Sequence, residues 1–138
     1  MSSDKRKVAR IPWLKFSAEV KVRRSFFHSE WIEVFPSDFT RFGMGMQTDE
    51  VFGEGEIVLL NLSLEMEAGA TKLESVPAIV RHKVKHHSRF NYGIEFDETS
   101  RTYVKNNLEE ELERIELVLE RHAKLQERLL KATPGDSI

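Results

Sequence analysis

Residues 16–23 read Phe16-Ser17-Ala18-Glu19-Val20-Lys21-Val22-Arg23, FSAEVKVR. Phe16, Ala18, Val20 and Val22 alternate with Ser17, Glu19, Lys21 and Arg23. A period of two sends the apolar set to one face of an extended chain, so the stretch predicts a β-strand with one buried face. Working outward, Trp31-Ile32-Glu33-Val34-Phe35 predicts a second strand, broken by Pro36. Ile57 to Leu62 follows Gly53 and Gly55. Val76 to Val84 and Phe90 to Phe96 complete the set, with His86-His87-Ser88-Arg89 as the turn between them. Short strands separated by turn signals predict an antiparallel sandwich or barrel over residues 16–97.

The chain has 138 residues, of which 40% are hydrophobic, enough for a real core in a single domain. A formal net charge of -2 exerts no global pull toward nucleic acid or anionic membrane, so any anion binding must come from a local cluster. The absence of cysteine rules out disulfides and thiolate catalysis and fits a reducing cytoplasm. No apolar stretch approaches the ~20 residues that span a bilayer, and no hydrophobic segment follows the first residues. The expectation is a cytoplasmic protein without membrane insertion.

The two ends differ from the middle. Residues 1–15 form a basic arm, with Lys5, Arg6, Lys7, Arg10 and Lys15 against Asp4 alone. Charged, apolar-poor and terminal, the arm is expected to be flexible, with Trp13 and Leu14 anchoring its end. Residues 100–131 predict one long helix. Leu108, Leu112, Ile115 and Leu119 recur at spacings of four, three and four, and Glu110–Arg114, Glu120–Lys124 and Glu127–Lys131 are favourable pairs four apart. Pro134-Gly135 ends it and leaves a tail over 132–138. The first half of the helix is expected to cover an open end of the β-domain. The second half, with His122 and Gln126 in its seam, projects and offers a surface for self-association.

Between two predicted strands lies Asp38-Phe39-Thr40-Arg41-Phe42-Gly43. Alone it reads as a tight polar turn, since Asp accepts, Thr donates and accepts, and glycine admits backbone shapes closed to other residues. Together with Arg6 and Arg10 upstream, it resembles the RxxxR and [D/N]x[S/T]xxG signature of PilZ domains. Later features agree with the resemblance: Val58 to Leu62 looks like the strand after the motif, Ala78-Ile79-Val80-Arg81 resembles the penultimate strand, and Asn91-Tyr92-Gly93-Ile94-Glu95-Phe96 the closing one. The resemblance covers roughly residues 5–100.

The resemblance implies a mainly β fold, a six-stranded antiparallel PilZ-type β-barrel, here followed by a long C-terminal helix. It also implies a bacterial receptor for cyclic di-GMP, without a cofactor or metal, whose arginine arm wraps the ligand against the barrel. The chemistry suits these residues. Arg grips phosphate bidentately and donates to guanine O6 and N7 or stacks on the ring. The Asp38 carboxylate would accept from guanine N1–H and N2–H, Thr40 would add a hydroxyl hydrogen bond, and Gly43 would let the backbone approach closely. Thr40 stands where the family most often has Ser, which keeps the hydroxyl and adds a methyl. Lys5, a basic residue just before the first arginine, leans toward a stacked ligand dimer. Arg81 is a further candidate contact, set against its plainer reading as an exposed strand residue. The expected output is an arm that orders on binding and a protein effector that prefers one of the two resulting surfaces.

Other clusters are read more plainly. His82, His86 and His87 sit among Lys83, Lys85 and Arg89, whose charge repels a metal cation, and read as a solvated turn, with extra phosphate contacts as the alternative. Met44, Met46, Phe26, Phe27, Phe35, Phe39 and Phe42 read as core, with Phe26-Phe27 as an exposed docking loop in the alternative. No nucleophile elbow and no isolated carboxylate pair supports an enzyme. The rival to the receptor is a degenerate PilZ-like adaptor or oligomeric scaffold that does not bind the nucleotide. A barrel binding nucleic acid polymers lacks the basic stripe it would need.

Overall fold

The computed structural model describes residues 12–131. Six antiparallel strands close into a barrel: β1 (Leu14–Ser25), β2 (His28–Thr40), β3 (Gly43–Thr48), β4 (Ile57–Met66), β5 (Gly69–His86) and β6 (Arg89–Phe96). Their order around the barrel is β1-β2-β3-β6-β5-β4. Two helices follow, α1 (Arg101–Lys105) and α2 (Leu108–Lys131). Among the described residues, no helix is long and apolar enough to cross a membrane.

The alternation read from FSAEVKVR is what builds the core. Ala18, Val20 and Val22 point inward with Val34, Met44, Met46, Leu60, Leu62, Val76, Val80, Tyr92, Ile94 and Phe96. Closure removes free sheet edges and buries these alternate residues from all sides. One end of the barrel is plugged by Tyr103 of α1 and by Leu108, Leu112 and Ile115 of α2, as the leucine spacing predicts.

The strand boundaries depart from the sequence reading in four places. Pro36 does not break β2, which runs on to Thr40. Pairing with β1 covers β2 only as far as Val34, and beyond it Pro36 pairs across to Met46 of β3. A proline without an N–H is tolerated where one flank of the strand has lost its partner. Gly43 to Met46 is not a turn but the start of β3, so the strand from Val58 to Leu62 is the fourth and not the one that follows the motif. β5 is far longer than Val76–Val84. It holds together through a bulge at Ser75, whose φ of 53° is left-handed and whose N–H donates to Asn61 Oδ1 at 3.0 Å.

The predicted single helix over 100–131 is two. Asn107 takes a left-handed φ of 57°, which asparagine tolerates, and ends the first segment. It then starts the second, its Nδ2 donating to Glu110 Oε2 at 2.8 Å. Glu127 pairs with Lys131 at 3.0 Å as expected, whereas Arg114 turns to Glu111 at 3.1 Å in place of Glu110.

The aromatic set divides. Met44 and Met46 are buried, and Phe39 packs edge-on against Phe16 with centroids 5.1 Å apart. Phe26 and Phe27 are 77% and 93% exposed at the β1–β2 turn, and Phe35 and Phe42 are also exposed. Phe35 follows buried Val34 on a strand, so the pleat turns it outward.

Candidate functional site

The β2–β3 hairpin carries the motif. Thr40 pairs with Gly43 across a two-residue turn, Arg41-Phe42. Thr40 Oγ1 accepts from the Phe42 N–H at 3.1 Å and lies 3.5 Å from the Gly43 carbonyl oxygen, so the hydroxyl closes its own turn. Asp38 sits in the bulge between Ser37 and Thr40, with a left-handed φ of 47°. The bulge sets it off the regular ladder, exposed, and its carboxylate has no hydrogen-bond or ion-pair partner among the described residues.

Gly43 has a structural reason to be glycine. A Cβ there would collide with the Ile94 carbonyl oxygen of β6. β3 therefore approaches β6 more closely than any side chain permits, before a ligand is considered.

Outward-facing residues of β2, β3, β6 and β5 form three rows. The middle row is Ser37, Gly45, Gly93 and His82, paired across four strands. Its two central members have no side chains, so it forms a trench. The depression is about 720 Å³ and runs from Asp38 and Thr40 at one end to Phe35, Gln47 and Asn91 at the other. The size suits a nucleotide-scale ligand.

Among the described residues that line the trench there is no lysine or arginine, and His82 is the basic group there. The sequence reading set His82 in a solvated turn, with extra phosphate contacts as the alternative. The signal missed was the bulge between Val80 and His82, which slips the register so that His82 faces Gly93. Arg81, the residue in that bulge, donates to Glu95 Oε1 at 2.7 Å and does not line the trench. Arg41 is likewise held, by Glu113 and Glu116 of α2 at 2.5 and 2.8 Å. Its hydrogen bond to Glu116, foremost, raises its already high pKa further and makes it a fixed cation.

Lys5, Arg6 and Arg10 lie outside the described residues. The described chain starts on the same helix that holds the motif turn: the Pro12 carbonyl oxygen is 3.1 Å from His122 Nε2 of α2. His86 and His87 pack edge-on with centroids 4.4 Å apart, and among the described residues no group of His, Cys, Asp or Glu gathers to hold a metal ion.

No protein-family profile matches the chain, and no curated protein matches it. Among solved structures, it is similar to the crystal structure of YcgR from Escherichia coli in complex with c-di-GMP. The TM-score is 0.54 at 17% sequence identity, over 88% of this chain and 50% of that one. At that identity the likeness speaks for the fold. The fold is PilZ-like. The chain spans half the length of YcgR.

Proposed function

We propose that this protein is a receptor for cyclic di-GMP that binds it in the trench between Asp38 and Phe35. The observation that carries the reading is the trench itself. Its floor of Gly45 and Gly93 is open to a flat ligand, and its end is marked by a carboxylate that has no partner among the described residues. Asp38 accepts from the N1–H and N2–H of one guanine. Thr40 and Gly43 shape the turn that presents it.

The two phosphates of the ligand need cations that the described lining of the trench does not supply. Arg81 and Arg41 are committed to carboxylates. The arm supplies the charge instead. Arg10 is two residues before Pro12, whose carbonyl oxygen is 3.1 Å from His122 Nε2 of α2, and in this reading Arg6 and Arg10 are the residues that meet the phosphates. Lys5 adds a further cation, which favours two stacked copies of the ligand. Ordering of the arm over the ligand changes the surface seen by a protein effector, and that change is the signal.

A second reading is favoured by one observation. Thr40 and Gly43 both have structural reasons that need no ligand. A PilZ-like adaptor that has lost the nucleotide would keep both residues. Asp38 separates the readings, because its exposed carboxylate serves no partner among the described residues. Titrating cyclic di-GMP into the wild type and Asp38→Ala tests this. The receptor reading expects wild-type binding at micromolar concentration or tighter and at least tenfold loss in the variant, about 1.4 kcal/mol or more. Absence of binding to the wild type favours the adaptor.

A further inference from the structure

The end of the trench remote from Asp38 carries groups that the reading above leaves unused. Phe35 pairs with Gln47, and Gln47 with Asn91, so the three stand in one row across β2, β3 and β6. Their neighbours Val34, Met46 and Tyr92 are buried, which turns this row outward. The row lies four residues along β3 from Gly43, roughly 13 Å.

Phe35 is 56% exposed, and the Arg89 guanidinium stands over its ring at 5.2 Å. Arg89 has no carboxylate partner among the described residues, unlike Arg41 and Arg81. The amides of Gln47 and Asn91 have no hydrogen-bond partner among the described residues either. An exposed ring, an unneutralised guanidinium and two free amides are the groups that hold a purine. The ring stacks on one face, and the guanidinium and amide N–H donors meet the N7 and O6 acceptors of guanine. Scattered on a surface, each would be an ordinary solvated strand residue. Here Phe35, Gln47 and Asn91 line the end of a single trench whose other end is Asp38, and Arg89 borders it through its contact with the Phe35 ring.

We propose that Phe35, Arg89, Gln47 and Asn91 form a second nucleobase subsite that takes a guanine of the bound ligand. The inference rests on the cyclic di-GMP reading of the same trench. A ligand with two bases places one against Asp38 and the other on Phe35, with its phosphodiester ring lying over Gly45 and Gly93.

The test titrates cyclic di-GMP into the wild type, Phe35→Leu and Arg89→Met, and follows the guanine H8 resonances of the bound ligand. Both side chains are exposed, so the variants fold, which thermal melting checks. The expected result is wild-type binding, with affinity about ten- to hundredfold weaker in Phe35→Leu and reduced in Arg89→Met. One H8 signal is shifted upfield by the Phe35 ring in the wild type and not in Phe35→Leu. Wild-type binding with equal affinity and unchanged H8 shifts in both variants overturns the subsite while leaving the receptor reading intact. No binding by the wild type overturns both.

Discussion

Arg41 and Glu116 meet through both carboxylate oxygens: the Arg41 side-chain Nε donates to Oε1 at 2.8 Å and its backbone N–H to Oε2 at 3.1 Å. The turn that follows Asp38 and Thr40 is thereby fastened to α2, 75 positions away in sequence. Bidentate, partly buried and fixed at the backbone, the contact differs from an ordinary surface ion pair. Glu116→Ala is expected to lower the melting temperature by a few degrees with the fold retained. Glu113 does not compensate, because the Arg41 backbone N–H loses its acceptor. Calorimetric melting of the variant checks this, and an unchanged melting temperature contradicts it.

The two glycines of β3 make opposite predictions. Gly43→Ala drives a Cβ into the backbone carbonyl of Ile94, which cannot move without shifting β6. It is expected to cost about 1–3 kcal/mol in denaturant unfolding. A Cβ on Gly45 instead meets the Ser37 Oγ at 2.5 Å, a side chain free to rotate away. Gly45→Ala is expected to cost well under half as much and to weaken ligand binding by raising the trench floor. Equal destabilisation by the two would show that the explanation of Gly43 is wrong.

Tyr92 sets an alkaline limit on stability. Its hydroxyl accepts from the Phe52 N–H at 2.9 Å and donates to the Glu50 carbonyl at 2.8 Å. Burial raises its pKa above the usual value near 10, with Glu56 and Glu50 adding and the Phe52 N–H opposing. The unfolded state then releases the proton first. Stability from this group is full below pH ~10 and falls as pH climbs from there through the folded pKa. Burial raises Tyr103 in the same direction. Tyr92→Phe is expected to shallow the alkaline loss while costing about 1–3 kcal/mol at neutral pH, where two polar backbone groups lose their partner. Denaturant midpoints measured between pH 7 and 11 give both slopes.

Phe27 is 93% exposed, so the fold gains little from it. Phe27→Ser is expected to change unfolding stability by no more than about 0.5 kcal/mol. A loss of several kcal/mol would place this ring in packing that the structure does not contain.

Alternation made the barrel wall legible: Ala18, Val20 and Val22 announced their face, and Ile94 and Phe96 theirs. Where an element is bent by a local device, the pattern fails. Pro36 looked like a stop because sequence does not reveal that β1 leaves the flank of β2 at Val34. Asn107 was hidden inside an unbroken helical spacing, since a left-handed residue leaves no periodicity signal. Phe35 looked like core because hydrophobicity alone does not say which face of a pleat a ring takes, and Phe42 because it does not say that a ring sits in a turn. Asp38, Thr40 and Gly43 were singled out by the resemblance to the PilZ motif, since their spacing alone reads as an ordinary turn, and the structure sets them in one hairpin. His82 was assigned to a turn because only the bulge at Arg81, which leaves no mark in the sequence, turns it toward Gly93.

The central claim is that the trench needs the arm to hold an anionic dinucleotide. Calorimetric titration of cyclic di-GMP into the wild type, Arg6→Ala and Arg10→Ala tests it most directly. The account predicts micromolar or tighter binding that each substitution abolishes or weakens by at least a hundredfold, about 2.7 kcal/mol. The fitted stoichiometry then decides between one ligand and the stacked pair associated with Lys5. Wild-type affinity retained in both variants, or no heat from the wild type, would contradict it.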